Sequence, residues 1–394
     1  MGSMITLGIG KMELDWGKNN MFHNHSCLFQ KEDIKMVPYY YSDDDIEYRK
    51  GLSKNIKSVM RRLDLLGYSL HDIEEIFNED LKRISELDNI SIPISFNDYY
   101  NTIKNIDINS INMTSEEYDY NYDLGEYAQK CVISEINKLC TLSEYEYYYI
   151  REFLQNLHPY ITLRILSENK KNHNLNVIWR YADVVENGWV LEEDIIPKLN
   201  TQEKILIVTE GSSDTDIIKK CIELLYSDVA DFFDFIDMEK NYPFTGTGNL
   251  KNFVKGLSKI NILNKILVIL DNDTAGKSVY NDIKKIDLPN NLKIITLPKY
   301  KDFDNFKCKG PQGNSIENIN GKAVSIECFL DHSSIDDEIY VRWTGFNDKL
   351  MQYQGNIEPK NLLIKSFHQY YKQDYDFTKL KYLIDYILES WISN

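Results

Sequence analysis

Two nearly uninterrupted apolar runs, Lys204-Ile205-Leu206-Ile207-Val208 and Ile266-Leu267-Val268-Ile269-Leu270, constrain this chain more than any other feature. Neither alternates polar with apolar residues, so neither suits a strand with one wet face. Both suit strands buried on two faces, as in a parallel sheet covered by helices. Helical spacing lies between and after them, at Ile217, Ile218, Cys221, Leu224 and Leu225, at Phe253, Leu257 and Ile260, and over 275–286. Further strands fit 232–236 and 292–297, with Thr245-Gly246-Thr247-Gly248 as a turn. This alternation predicts an α/β fold with a doubly wound, Rossmann-like parallel sheet over 201–330.

The residues before it, 4–200, read as a mixed α+β domain. Ile5–Ile9 and 35–41 are extended, followed by acidic Ser42-Asp43-Asp44-Asp45. Ser53 is placed to cap a helix carrying Ile56, Val59, Met60, Leu63 and Leu66, which Gly67 stops. Ser69 with Asp72 opens a second helix. The Asn-rich, acidic stretch 90–125 reads as loop, and helices follow at about 125–140 and 143–168, the latter from a Ser143-x-x-Glu146 capping box. Residues 331–394 read as a helical extension, with helices at 362–371 and 380–391.

The net charge of −16 argues against a general nucleic-acid coat protein, which needs basic surface to release counterions. That charge is segregated, however. The window 240–310 holds thirteen lysines and six aspartates, a net of +7, which leaves −23 for the remainder. Lys251, Lys255 and Lys259 are four apart and align on one helix face. Lys277, Lys299, Lys301, Lys307 and Lys309 follow. This Lys-rich face at 251–309 would serve as a phosphate track if a nucleic-acid site lay beside it. No arginine occurs over 181–341, so bidentate forks are excluded there. No apolar stretch approaches the length of about 18 residues that a membrane span needs. Met1-Gly2-Ser3-Met4 reads as a tag scar before a native Met4, with no signal peptide after it. The six cysteines form no Cys-x-x-Cys pair. A cytoplasmic protein is expected.

In a doubly wound sheet, ligands sit at the carboxyl ends of the strands. The first run leads into Thr209-Glu210-Gly211-Ser212-Ser213-Asp214, and the second into Asp271-Asn272-Asp273-Thr274-Ala275-Gly276-Lys277. If the two strands are neighbours, Glu210, Asp214, Asp271 and Asp273 converge. Carboxylates at close range raise each other's pKa unless a cation neutralises them, and hard oxygen donors suit Mg²⁺ or Mn²⁺.

An apolar strand ending in Glu210-Gly211, followed about sixty residues later by a strand ending in Asp271-x-Asp273, resembles the Toprim domain of topoisomerases, bacterial primases and OLD-type nucleases. The resemblance covers roughly 204–330. It implies acid/base chemistry or metal binding for Glu210 and metal binding for Asp271 and Asp273. Asp214 matches a second acidic position of OLD-type nucleases. Glu327, in Ser325-Ile326-Glu327-Cys328-Phe329-Leu330, matches their later Glu, and Lys360 their later Lys. The flanks resemble HEPN/Toprim-associated proteins: the opening 5–41, Val184-Val185-Glu186-Asn187-Gly188-Trp189, and Arg342-Trp343 through Gly355. In that group an N-terminal module is paired with a Toprim or a HEPN effector, often in phage defence.

The resemblance implies a Mg²⁺- or Mn²⁺-dependent endonuclease acting on DNA or on RNA such as tRNA. Glu210, Asp271, Asp273 and Lys360 would be catalytic; Glu210, Asp214, Asp271, Asp273 and Glu327 would hold metal. A phage-derived trigger or defence partner and a homo-oligomer are implied partners. The rival is a Toprim scaffold that binds nucleic acid or a partner without cutting it.

Other motifs lose on chemistry. Asp271-x-Asp273 invites a haloacid-dehalogenase reading, but Ala275 stands where that motif wants Thr or Val. Gly276-Lys277-Ser278 lacks the earlier glycine of a phosphate-cradling loop, because that position is Asp271. Arg151 and His158 have the loose spacing of HEPN ribonucleases, yet Pro159 follows at once, and an ordinary amphipathic helix end is expected. His23 and His25 are expected to be structural, and the run 145–149 and the acidic segments 43–47 and 116–126 to serve packing and solvation.

Overall fold

The computed structural model describes residues 2–40, 45–111, 123–139, 141–236, 247–260, 262–348, 350–370 and 374–392. Tyr41, the acidic residues 42–44 and 116–122, Cys140, Lys240, Thr245, Gly246 and Tyr371 therefore lie outside the described residues. The chain divides into two compact units, Met1–Leu199 and Asn200–Asn394.

The first unit is built on a five-stranded antiparallel sheet. Its strands are β1 (Met4–Ile9), β2 (Met12–Lys18), β3 (Ile34–Tyr40), β4 (Ile46–Asn55) and β5 (Asn176–Arg180), in the order β2-β1-β5-β4-β3. The latest strand fills the centre, between β1 and β4. Its helices are α1 (Ile56–Leu66), α2 (Leu70–Asp88), α3 (Phe96–Lys104), α4 (Leu124–Leu139), α5 (Glu144–Asn156), α6 (Pro159–Leu166), α7 (Ala182–Glu186) and α8 (Glu192–Ile195). Leu7, Leu63, Phe77, Phe153 and Trp179 share one core.

Several local readings change. Asn55, not Ser53, caps α1: its side chain accepts the Lys57 N–H at 3.0 Å, while Ser53 is still inside β4. The stretch taken as loop holds α3, opened by a reciprocal Ser95–Asp98 capping box. The single helix expected over 143–168 is two, because Pro159 cannot continue α5 and instead starts α6, with His158 as its cap.

The second unit holds the predicted parallel sheet. Strand β6 (Ile205–Val208) is followed by α9 (Ser212–Leu225), β7 (Phe233–Phe235), α10 (Thr247–Leu257), β8 (Lys265–Leu270), the short β9 (Asn272–Asp273), α11 (Thr274–Ile283) and β10 (Leu292–Thr296). The order is β10-β8-β6-β7, all parallel. From β6 the chain steps outward to β7, then crosses back to β8 on the other side. The direction of winding reverses between β6 and β8, which is where a crevice opens at the strand ends. The continuous apolar runs are explained, since Ile205, Ile207, Val208 and all of Ile266–Leu270 are buried.

A second sheet follows the first. It comprises β11 (Phe306–Gly310), β12 (Gly313–Glu317), β14 (Tyr340–Asn347) and β15 (Gln352–Glu358), in the order β12-β11-β14-β15, and β13 (Ala323–Val324) pairs with β9. Helices α12 (Lys360–His368) and α13 (Thr378–Ile392) close the chain. The segment after 330 is thus helical from Lys360 onward and carries, in addition, the β14–β15 hairpin. It belongs to the same compact unit as the parallel sheet, with α13 packed on α9. Among the described residues no helix is long and apolar enough to cross a membrane.

Candidate functional site

The end of β6 is a fixed turn. The buried Thr209 hydroxyl bonds to the Gly211 carbonyl at 2.9 Å and to the Thr215 hydroxyl at 2.7 Å, which turns the chain into α9 and leaves Glu210 at the crevice. Asp214, in the first turn of α9, accepts the Gly211 N–H at 3.0 Å. At the end of β8, Asp271 is followed by β9, and Asp273 caps α11 by accepting the Gly276 N–H at 2.7 Å. Glu210 Oε1 accepts the Asp271 N–H at 3.2 Å and so ties the two strand ends together. Gly276 is a requirement the motif reading overlooked: a Cβ there would lie 2.2 Å from the Asp271 carbonyl oxygen, so no other residue lets α11 start this close to β8.

Glu327 and Lys360 enter from behind. Glu327 lies in a 3-10 turn, Ile326–Phe329, and is fully buried. It accepts the Ser325 hydroxyl at 2.6 Å, and its other oxygen is 2.8 Å from Lys360 Nζ at the start of α12. Lys360 therefore engages Glu327 directly rather than Glu210 or Asp273.

The electrostatics are those of acids facing acids. Burial, then the charges of Asp214, Glu210, Asp273 and Glu327, raise Asp271 well above the usual carboxylate range. Burial and the Asp273 and Asp214 charges push Glu210 up to about 7, against the Asp271 N–H bond that favours its anion. Burial and Glu327 push Asp214 up to about 7, with Lys360 opposing. Asp273 is raised by burial, partly offset by the backbone amides it accepts. Burial works against the charge on Lys360, yet Glu327, Asp214 and Asp271 hold its pKa above the ordinary value. The cation thus serves the Glu327 side, while the groups acting on Glu210 and Asp273 are acids and backbone amides.

This donor set matches a hard divalent cation in chemistry: all oxygen, anionic, and destabilised by its own charge. As placed, no three His, Cys, Asp or Glu side chains among the described residues close on one ion. Asp214 and Asp273 each accept a backbone amide, of Gly211 and Gly276 respectively, through one carboxylate oxygen.

The other predicted residues separate. Lys251 pairs with Asp282, and Lys259 lies beyond the end of α10, so the aligned three-lysine face does not form. Lys307 and Lys309 pair with Glu338. Lys277 is instead grouped with Lys299 and with Lys322, which lies outside the sequence window: burial and those two charges lower its pKa. In the first unit, Arg151 is exposed on α5, while His158 stacks on Tyr68 with ring centroids 5.1 Å apart, and the helix break removes their common face. His23 and His25 both bond to Asp15, at 3.0 and 2.9 Å.

Comparison with known proteins gives two family matches. Residues 1–203 match the HEPN/Toprim N-terminal domain 1, and residues 232–307 match a Toprim-like domain. The second match spans Asp271, Asp273 and Gly276 and begins after Glu210. A Toprim domain is a nucleic-acid-processing module that binds divalent metal ions. No curated protein and no solved structure matches the chain. With more than half of its length in the first match, the chain belongs to the HEPN/Toprim N-terminal domain 1 family and carries a Toprim-like domain behind that module.

Proposed function

We propose that this protein is a divalent-metal-dependent nuclease, and that its second unit hydrolyses phosphodiester bonds in DNA or RNA. One observation carries the reading: Glu210 and Asp271 leave adjacent parallel strands at the reversal of winding, are joined by a bond, and face further acids. Glu210, Asp214, Asp271 and Asp273 would hold Mg²⁺ or Mn²⁺, with Glu327 behind them. Bound metal would supply a Lewis acid at the phosphoryl oxygens and an acidified water. Glu210, at the crevice and bonded to the Asp271 amide, is placed to hold the metal or to take a proton from an attacking water. Lys360 neutralises Glu327 and orders the rear of the site.

The test is incubation of wild type, Glu210→Gln and Asp271→Asn with Mg²⁺ or Mn²⁺ and mixed nucleic acids. Loss of cleavage in both variants supports the reading, and undiminished cleavage in both overturns it. A second reading, a Toprim scaffold that binds without cutting, draws on the capping bonds that occupy Asp214 and Asp273. Calorimetric titration with Mg²⁺ separates the two. The resemblance of the flanks supports a further proposal, a role as an effector of anti-phage defence. Phage plating on cells carrying wild type or Asp271→Asn tests it, with protection expected only from wild type.

A further inference from the structure

Next to Asp273 the protein carries aromatic rings and lysines that the chemistry above does not use. Trp343, Phe346 and Tyr353 lie on one face of the β14–β15 hairpin, with centroids 6.0 Å apart for Trp343–Tyr353 and 5.1 Å for Phe346–Tyr353. Phe346 and Tyr353 are 47% and 45% exposed. The alternation of β14 shifts between Trp343 and Gly345, and this bulge brings Phe346 to the same face. The indole is held, not loose. It lies over Gly310 and Gly355, where an added Cβ would come within 2.9 and 2.8 Å of ring atoms, and its Nε1 donates to Glu317 at 3.2 Å.

The hairpin is clipped to the carboxylate site. The buried Thr274 hydroxyl, one residue after Asp273, points at the carbonyls of Tyr353 and Lys322, at 3.1 and 3.3 Å. Lys322 pairs along the backbone with Asp273, and its Nζ stands 6.0 Å from the Trp343 centroid. Lys277 and Lys299 line an adjoining open pocket of about 600 Å³, together with Gln352. Among the described residues none of these three lysines has a carboxylate at ion-pair distance. Lys277 Nζ lies against Gly321, the residue before Lys322, and shares the pocket with Lys299.

We infer that Trp343, Phe346 and Tyr353 with Lys277, Lys299 and Lys322 form a track for unpaired nucleic acid, the rings stacking bases and the lysines gripping phosphates. The inference rests on the nuclease reading for what lies at the end of the track. Bases inside a duplex already cover each other's faces, so exposed rings reward single strands, loops and frayed ends. Lysines without arginine forks hold phosphates as point charges and leave the choice of bases open.

The experiment is fluorescence anisotropy on the full chain in EDTA, where nothing is cut, with a labelled single strand of about 15 nucleotides and a blunt duplex of the same length. Wild type should bind the single strand more tightly. Phe346→Ala/Tyr353→Ala should weaken single-strand binding about tenfold or more and leave duplex binding unchanged, while Tyr353→Phe should retain affinity. Lys277→Gln/Lys299→Gln/Lys322→Gln should flatten the slope of log K against log salt by about 2. Equal affinity for both probes, or single-strand affinity untouched by the aromatic pair, overturns the inference. So does a wild-type dimer that the aromatic pair converts to monomer in light scattering, since the face then belongs to a second copy. Failure of the nuclease reading leaves a separate signature in the cleavage assay with Mg²⁺ or Mn²⁺, whatever the binding result: either wild type cuts nothing, or Asp271→Asn cuts as well as wild type.

Discussion

Each unit of the protein holds a dense group of chemistry-bearing side chains, and the two groups behave in opposite ways. In the first unit, Asp15 receives His25 Nε2 at 2.9 Å and His23 Nδ1 at 3.0 Å. His25 Nδ1 in turn meets the Tyr160 hydroxyl at 3.1 Å, and that hydroxyl meets Cys27 Sγ at 3.4 Å. Every member has a complementary neighbour. Burial alone would raise Asp15, yet its two imidazole partners hold it below the usual carboxylate range. Burial keeps His25 below its ordinary value despite Asp15. In the second unit burial acts together with neighbouring acids on Asp271, Glu210 and Asp214, the last opposed by Lys360, while Asp273 rises by burial against the amides it accepts. Reactive residue types that complete one another are architecture.

The sharpest way to break this contrast is cleavage. Asp271→Asn and Glu210→Gln should each lower the metal-dependent rate by about 10²–10³-fold. Asp15→Asn should leave it within about twofold, read by gel assay on one substrate. Comparable losses in both units would abolish the distinction.

Stability should invert the ranking. Asp15→Ala strands the buried His25 and should cost about 2–4 kcal/mol in denaturant unfolding. Glu210→Gln relieves repulsion and should add about 1–2 kcal/mol at pH 8 in EDTA, with partial exposure already discounted.

The pH dependence separates the two groups by sign. The pKa of Asp15 is lowered from 3.8, so its contribution is present above that value and lost as pH falls through the folded pKa. Glu210 is raised from 4.5 to about 7, so its contribution is present below 4.5 and lost as pH climbs through about 7. Melting temperatures in EDTA should therefore decline from mildly acidic to neutral pH in wild type and decline less in Glu210→Gln. Asp15→Asn should alter only the acid limb. The smallest effect belongs to Arg151→Ala, expected within about 0.5 kcal/mol and without change in cleavage.

The carboxylate site was legible in the sequence because both its halves immediately follow apolar runs, and such runs are nearly unambiguous when a strand is buried on both faces. Where burial is one-sided or interrupted, the signal fades. Strand β4 is exposed over its first half and buried over its second, so no single period describes it. The β14–β15 hairpin combines a bulge with exposed aromatics, which disguises its alternation. Helix α3 buries Phe96, Tyr99 and Ile103 on one face behind a Ser95-x-x-Asp98 cap, but it is short and set in an Asn-rich, acidic stretch whose composition reads as loop. The Asp15–His25–Tyr160 chain was out of reach, because its His25–Tyr160 link joins residues 135 positions apart and forms only once the sheet and α6 are in place. The lysines misled for a related reason: spacing along a helix says nothing about Asp282 or Glu338 waiting to neutralise them.

The capping bonds of Asp214 and Asp273 carry one more consequence. Binding a ligand ordinarily slows the exchange of nearby backbone amides with deuterated solvent, because it disfavours local opening. Here the carboxylates that would reach for a cation are the acceptors of the Gly211 and Gly276 amides. If they turn to the ion, those two amides lose their acceptors and exchange faster, while the rest of the sheet exchanges more slowly. Occupancy of the centre would be readable as that opposition of signs, without substrate and without turnover.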